Sequence, residues 1–426
     1  MSLMIKSLSV SGTESKWIKV GTLLNGIDRP VKDAHIVFDS ISIKYSGQKS
    51  PPKSLVPDGQ STPDLDLPEY TLLPGLIEAH AHLFLEGAEL DFQKRKDFLQ
   101  QSSDELLEKA KERLQKLVSL GIIAYRDAGD KNGVGLALSK IYQNGKRSIM
   151  PYVDSPGAAI HHLGRYGSFM AEPIENHDSL KDVVRERVKK GADRIKLIPT
   201  GIINFKSACV TKEPQMTVDE VSKLVEVSKE LGRQTFAHAS GDDGIDLVIE
   251  GNADSVEHGF FIRDDQLSRM RDKQIAWVPT FTPVQKQVDH AAEMGWDDTI
   301  KCNLQKILDG HAKSLCKAFE MGVLVIGGSD AGSVGVAHGI GFYDELELME
   351  KAGVDPVSVI NSATGVSSKR LDFKEKFGII EKGYKSRFIL TKNSPVETVK
   401  NLRKEKFVCF DGQVFQSDEK FDSSGL

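Results

Sequence analysis

The stretch Leu73-Pro-Gly-Leu-Ile-Glu-Ala-His-Ala-His82 decides the fold of this 426-residue chain. The part from Gly75 to Ala79 is short and apolar enough to form a buried strand. Because a strand sends alternate side chains to the same face, His80 and His82 would direct two imidazoles at one point. Neutral imidazole is the commonest protein ligand for zinc, so the pair predicts half of a tetrahedral metal site.

The composition is that of an ordinary globular protein and argues against several classes of function. Apolar residues make up 39% of the chain, charged residues make up 27%, and the net charge is −5. This balance leaves no basic face for nucleic acid or for an anionic membrane. The four cysteines are widely scattered without a CxxC pair, which predicts reduced thiols rather than disulfides.

The N-terminal residues lack the basic and then apolar pattern of a signal segment, and no run of apolar residues is long enough to cross a membrane. We therefore expect a cytoplasmic protein. Its expected partner is a small-molecule substrate, with neither nucleic acid nor a membrane as a partner. Assembly into a homo-oligomer stays open.

The order of apolar segments predicts an α/β fold with two domains. Residues 1–73 and 376–426 contain short strand-like runs, which predict one small β-sandwich domain formed by both termini. Residues 74–375 alternate amphipathic helices with apolar strands, and glycine repeatedly separates a helix from the next strand. Eight strands can be counted between residues 76 and 328, which predicts a (β/α)8 TIM barrel.

Six chemically distinctive side chains fall at or near the carboxyl ends of these strands: His80, His82, Lys196, His238, His258 and Asp330. Barrel enzymes assemble their sites at that end of the barrel. Any one of these histidines alone is as well interpreted as a core residue. Lys196 alone would be interpreted as a lysine at the sheet edge, since an inward-facing ammonium is costly to bury. The coincidence of all six favours a metal site.

Six further stretches complete a resemblance to a known family. They are Gly121-Ile-Ile-Ala-Tyr-Arg-Asp-Ala-Gly, Gly191-Ala-Asp-Arg-Ile-Lys-Leu, Phe236-Ala-His-Ala, Ser255-Val-Glu-His-Gly, Gly328-Ser-Asp-Ala-Gly and Asn361-Ser-Ala-Thr. The chain resembles the binuclear metal branch of the amidohydrolase superfamily. Within that branch it is most similar to imidazolonepropionase-like proteins and to the Xaa-Pro and Xaa-Arg metallo-dipeptidases. The resemblance implies a distorted barrel, two divalent metals and hydrolysis of an amide-like bond.

The resemblance also implies which residues hold each metal. The first metal would be bound by His80, His82 and Asp330, and the second by His238 and His258. Zinc fits these nitrogen and oxygen ligands, while manganese and cobalt stay open.

The family's bridging ligand is a lysine that CO2 has carboxylated, and Lys196 occupies its position. A hydroxide would be the second bridge between the metals. Asp330 would accept the proton of this hydroxide as it attacks, and would then deliver it to the leaving amine.

Five residues are candidates for substrate contact: His161, His162, Arg165, Tyr166 and His338. The first four lie in the loop after the third strand, where related dipeptidases often carry a Gly-His-Gly-like turn. Arg165 could pair with a carboxylate, and a histidine or the tyrosine could bond to the substrate carbonyl. His338 follows the eighth strand and could line the pocket. For the residues of the loop after the third strand, an interpretation as ordinary loop residues fits the sequence about as well as a role in substrate binding.

The predicted reaction is hydrolysis of a C–N amide bond in a small molecule, either a dipeptide or an N-acyl amino acid. A carbamate, a urea-type compound or a cyclic amide is an alternative substrate. A mononuclear deaminase is disfavoured, because such relatives have Glu three residues after the strand-5 histidine, where this chain has Gly241. A non-catalytic scaffold is disfavoured because no ligand is missing.

Overall fold

The structure is a computed structural model and describes residues 2–145 and 149–417. The strands are β1 Lys16–Leu23, β2 Val31–Phe38, β3 Ile43–Gly47, β4 Leu65–Pro74, β5 Leu76–Ala81, β6 Ile122–Asp127, β7 Tyr152–Asp154, β8 Ile195–Leu197, β9 Ile203–Asn204, β10 Cys209–Val210, β11 Thr235–Ala239, β12 Ser255–His258, β13 Ala276–Val278, β14 Arg387–Thr391, β15 Phe407–Phe410 and β16 Gln413–Gln416.

The α-helices are α1 Ser2–Lys6, α2 Phe92–Leu99, α3 Ser103–Ser119, α4 Val134–Gln143, α5 Leu180–Lys190, α6 Val218–Glu230, α7 Asp242–Glu250, α8 Asp264–Lys273, α9 Thr282–Asp289, α10 Asp298–Met321, α11 Ile340–Lys351, α12 Pro356–Ser362 and α13 Gly365–Leu371. Short 3-10 helices cover Lys53–Leu55, Ile174–Asn176 and Val399–Arg403. None of the helices in the described ranges is both long and apolar enough to cross a membrane.

Two parallel sheets and one extended segment form the predicted barrel. β5, β6 and β7 pair in the first sheet, and β8, β11, β12 and β13 pair in the second. The segment 324–327 takes the eighth position between β13 and β5. The Trp277 N–H donates to the Leu324 carbonyl at 2.8 Å, and the Ala79 N–H donates to the Gly327 carbonyl at 2.9 Å. The predicted α/β barrel architecture is thus confirmed, with an eighth segment too short to be a regular strand.

The barrel is irregular where the first sheet meets the second. β7 has only three residues, and its link to β8 runs through Ile160 in the following loop. The Ile160 N–H donates to the Lys196 carbonyl at 2.9 Å, and the Ile198 N–H donates to the Ile160 carbonyl at 3.0 Å. This distortion brings the loop after β7 close to the residues of β8.

The helices bury one face against the barrel, as α3 illustrates. Ser102 and Glu105 form a reciprocal capping box at its start, which satisfies two free N–H groups of the first turn. Its buried side chains recur at helical spacing: Leu106, Ala110, Leu114, Leu117 and Val118. Gly121 follows with φ +82°, a conformation that glycine adopts without a steric penalty, and the chain enters β6.

The segments near both termini pair into one seven-stranded sheet of order β16-β15-β14-β4-β1-β2-β3. β2 and β14 are separated by two strands in this order, yet the rings of Phe38 and Phe388 lie 5.0 Å apart. The sheet therefore curls over its own apolar core instead of dividing into two sheets. The small β domain is confirmed in this form. The domain bounds 1–73 and 376–426 stay a prediction, and the last nine residues lie outside the described ranges.

Candidate metal centre and substrate cavity

Three side chains converge at the end of β5. His80, His82 and Asp330 offer ligand atoms that all lie within 4.8 Å of one another. The Asp330 Oδ1 is 3.6 Å from His80 Nε2 and 3.5 Å from His82 Nε2. Gly328 makes the approach of the third residue feasible, since a Cβ there would lie 2.9 Å from the His80 nitrogen. A divalent cation fits this set of two imidazoles and one carboxylate.

The histidines of β11 and β12 lie beside this group. The ring centroids of His238 and His258 are 4.5 Å apart, and those of His80 and His258 are 5.0 Å apart. His258 has φ +67° and Asp330 has φ +55°, so neither follows regular strand geometry. Non-glycine residues rarely adopt this conformation, and such strain tends to concentrate at functional sites.

In His80 and in His258, a hydrogen bond engages the ring nitrogen Nδ1. The second ring nitrogen, Nε2, is then available to a metal. His80 Nδ1 contacts Glu257 Oε2 at 2.5 Å, and His80 Nε2 is buried without a partner. His258 Nδ1 contacts Thr280 Oγ1 at 2.7 Å. A ligand histidine usually has such a bond on its second nitrogen, because the bond fixes the ring and its tautomer.

Burial keeps these imidazoles neutral. Together with the charge of Lys196, it lowers the pKa of His82 and of His238 to about 3 in each case. The pKa values of His80 and His258 also lie well below the usual range, again mainly because of burial. Only neutral imidazole can bind a metal, so the four rings are already in the ligand form.

Lys196 occupies the floor of the site without any hydrogen bond. Its Nζ is buried, has no partner, and lies 4.7 Å from the centroid of the Phe236 ring. Burial, assisted by the charge of Arg126, lowers the pKa of this amine to about 8. An unpartnered buried ammonium is costly, whereas an anionic bridge between two cations would be stabilised here. The donor set therefore fits two metals with a modified lysine between them.

Arg126 and Glu257 support this floor, and the sequence reasoning missed both. Arg126 Nη2 donates to Glu257 Oε2 at 2.7 Å, and Arg126 Nε donates to the Ala79 carbonyl at 2.5 Å. Glu257 thus joins the arginine to His80 within the barrel. Strand alternation provides a signal for this role, because Ser255 and Glu257 share one face and bond to each other at 2.5 Å.

Replacing Glu257 with Gln is expected to weaken metal affinity by about 10- to 100-fold, because the partner that orients His80 is lost. Titration of the apo-protein with zinc in a competing chelator measures this effect. Glu345→Gln is the matched control: Glu345 is equally buried but bonds to Phe281 and Thr282. Equal loss of affinity in both variants would contradict the role of Glu257.

A cavity of about 360 Å³ opens over these residues. Apolar side chains make up most of its wall: Leu85, Leu99, Tyr166, Phe169, Met170, Ile202, Ile203, Phe205, Phe260, Pro283, Val284 and Val334. Arg95, Ser240, Gln287 and Ser333 add polar groups to this wall, and Ser333 bonds to Asp330. The volume suits a small organic molecule with a bulky apolar part.

The structure places one of the five candidate substrate residues in this wall. Tyr166 lines the cavity, with its ring 5.2 Å from that of His238. The other four lie outside the lining: His161, His162, Arg165 and His338. Both ring nitrogens of His161 contact main-chain carbonyls, and His162 pairs with Glu175 and Glu220.

Arg165 and His338 are likewise engaged elsewhere. Arg165 donates to the Glu213 carbonyl on the outer side of the loop. His338 is held between the Tyr125 hydroxyl at 2.8 Å and the Leu85 carbonyl at 3.0 Å. Neither side chain therefore lines the cavity in this structure, and their contact with the substrate stays a prediction.

A distorted barrel with a metal-ligand cluster at the carboxyl ends of its strands defines a class of metal-dependent hydrolases. The chain belongs to the amidohydrolase family, whose model matches residues 71–415.

Relatives cover nearly the whole chain. An ochratoxinase of Aspergillus niger is 23% identical over an alignment of length 466, which covers 100% of this chain and 91% of the relative. The crystal structure of A. niger ochratoxinase superposes with a TM-score of 0.79 and 22% identity, covering 97% of this chain and 99% of that one. A Xaa-Pro dipeptidase with bound methionine gives a TM-score of 0.77 and 24% identity, covering 95% of this chain and 100% of that one.

Proposed function

We propose that this protein hydrolyses a C–N amide bond in a small molecule, with two divalent metals and a carboxylated Lys196. The observation that carries the proposal is the Lys196 amine, which is buried without a partner beside neutral histidines. Burial of an unpaired ammonium lowers the stability of the fold, so a barrel without a metal site would not be expected to keep one. Carboxylation removes that cost, because the amine nitrogen forms a bond to the carbon of CO2, loses a proton and becomes part of an anionic carbamate.

Six residues would hold the two cations: His80, His82, Lys196, His238, His258 and Asp330. Zinc suits this mixture of nitrogen and oxygen donors. Two such cations lower the pKa of a water molecule and polarise the scissile carbonyl.

Asp330 moves the proton in this scheme. Burial raises the pKa of its carboxyl to about 7, although the charges of Lys196 and Arg95 oppose the shift. Its Oδ2 accepts a hydrogen bond from the Ser333 hydroxyl at 2.9 Å, which fixes the carboxylate orientation. The carboxylate takes a proton from the attacking water and returns it to the amide nitrogen as the C–N bond breaks.

The likeness to an ochratoxinase and to a Xaa-Pro dipeptidase supports an amide substrate. The apolar wall around the metal centre supports a substrate with a bulky apolar part. A dipeptide or an N-acyl amino acid meets both conditions. A hydrolysis screen over these two classes, with enzyme reconstituted in zinc and bicarbonate, tests the assignment.

Metal content gives a second test of the proposed function. We expect about two divalent ions per chain in the active protein, and about one in His238→Ala, because the second site loses a ligand. Elemental analysis after gel filtration measures the ratio. His290→Ala is a suitable control, since His290 pairs with Glu293 on a partly exposed surface and does not line the cavity. Full activity in protein that contains no metal would disprove the proposed mechanism.

A further inference from the structure

Arg95 brings a positive charge into the wall of the substrate cavity. It lies on α2 and is half-buried. Its Nη2 donates to the Gly332 carbonyl at 2.7 Å, and its Nη1 donates to the carbonyls of Glu86 and Glu89. Within residues 2–145 and 149–417, no carboxylate oxygen lies within 4.0 Å of it.

The hydrogen bonds of Arg95 leave donors of its guanidinium available. A guanidinium has five N–H donors, and the three carbonyls accept from Nη1 and Nη2. Among the described residues, none accepts a hydrogen bond from Nε. The Nε–H and one N–H of Nη2 lie parallel along one edge of a guanidinium, which is the arrangement that binds a carboxylate with two hydrogen bonds.

The aromatic part of the cavity faces this cation across the barrel mouth. Tyr166, Phe169 and Phe205 come from the loops after β7 and β8, and the rings of Tyr166 and Phe169 are 5.6 Å apart. Arg95 is tied instead to the loops that follow β5 and the eighth segment. In an eight-membered barrel these positions are roughly opposite, and the metal-ligand residues lie between them.

We infer that Arg95 binds the carboxylate of the substrate, and that the site selects aromatic N-acyl amino acids. This inference rests on the proposed amide hydrolysis and adds the chemistry at the two ends of the substrate. The aromatic group packs against Tyr166 and Phe169, the carboxylate pairs with Arg95, and the amide lies over the metal centre. Arg95 therefore replaces Arg165 as the residue that recognises the carboxylate.

Arg113 provides a matched control for Arg95. It supports the same loop, so it shows what loss of a purely structural arginine would do. Arg113 lies on α3 and holds the same loop, donating to the Leu83 carbonyl at 2.8 Å and to Glu86 Oε2 at 2.7 Å. It does not line the cavity over the metal centre. A variant at Arg113 removes hydrogen bonds to the loop but keeps the positive charge in the cavity wall. Comparison of the two variants therefore separates binding of the substrate carboxylate from support of the loop.

The test uses N-benzoyl-L-phenylalanine and its C-terminal carboxamide as probes for the zinc- and bicarbonate-loaded enzyme. Release of benzoate gives kcat and KM, and calorimetry gives binding of each probe. We expect the wild type to prefer the free acid by tenfold or more. Arg95→Gln should raise KM for the acid by about 10- to 100-fold, with little change for the carboxamide. Arg95→Lys should restore only part of the loss, since lysine cannot form the bidentate pair.

The inference would be overturned by equal preference of the wild type for acid and carboxamide, by an unchanged preference in Arg95→Gln, or by an equal loss of preference in Arg113→Gln. Failure of the wild type to bind the free acid would overturn it as well. If the acid binds through Arg95 but no amide in the wider screen is cleaved, the proposed function fails while the carboxylate site stands.

Discussion

Replacing Asp330 with Asn is expected to lower kcat by about 10²- to 10⁴-fold, the usual contribution of a positioned acid–base group. Asparagine keeps the shape of the side chain and one oxygen that can face a cation. It cannot take a proton from water or return it to the amide nitrogen. KM should therefore change little, and kcat and kcat/KM should fall together. Steady-state kinetics at saturating zinc, with metal content measured on the same sample, tests this expectation.

Ser333→Ala separates proton transfer from orientation of the carboxylate. The Ser333 hydroxyl donates to Asp330 Oδ2 at 2.9 Å, so its loss leaves the carboxylate in place but less restrained. We expect a decrease in kcat of about tenfold or less, in line with the loss of one hydrogen bond. If Asp330→Asn retained most of its turnover at full metal occupancy, another group would have to transfer the proton.

The barrel could be predicted from sequence because its signals are local. Most strands contain a short apolar run, and several helices bury one face and are followed by a glycine, as α3 is by Gly121. The eighth segment was correctly placed because Val323 to Gly327 has the same apolar character. Whether the terminal strands form one sheet or two depends on long-range curvature, which apolar runs do not encode. The contact of Phe38 with Phe388 arises only from that curvature.

The six metal-ligand candidates could also be found from sequence, because all lie at the ends of strands whose place in the barrel is known. Glu257 was not recognised as a partner of His80, since the two are 177 residues apart and meet only inside the barrel. The buried Arg126 likewise carries no signal of its own within an apolar strand.

The side chains that line the cavity could not be predicted from sequence, because loops and helix α2 determine which of them reach it. Arg165 was a reasonable candidate for a carboxylate partner on its position after the third strand. The loop instead turns its guanidinium toward the Glu213 carbonyl. Arg95 belongs to the charged helix sequence Phe92-Gln-Lys-Arg-Lys-Asp-Phe-Leu, which by pattern is indistinguishable from an exposed surface helix.

Lys196→Ala is expected to abolish turnover and to lower the metal content to about one ion per chain or less, because in the proposed site both cations would lose a ligand. Reconstitution of the wild-type apo-enzyme should in turn depend on dissolved CO2. Only the neutral amine reacts, and burial lowers the pKa of Lys196 to about 8. At a fixed CO2 concentration, recovery of activity should therefore increase as the pH rises toward 8. An ordinary lysine would be only about 0.3% neutral at that pH.

Lys406 provides the control that separates this chemistry from burial alone. It is also buried, and burial lowers its pKa to about 8, but its Nζ donates to the Leu402 carbonyl at 2.7 Å. After reconstitution with ¹³C-bicarbonate and zinc, a carbamate carbon signal should persist in Lys406→Ala and disappear in Lys196→Ala. A carbamate at Lys196 would be stabilised by the proposed cations, whereas the proposed metal ligands do not include Lys406. Active wild-type protein with an unmodified Lys196, judged by mass under non-denaturing conditions, would instead require a mechanism in which the amine itself lies beside a single cation.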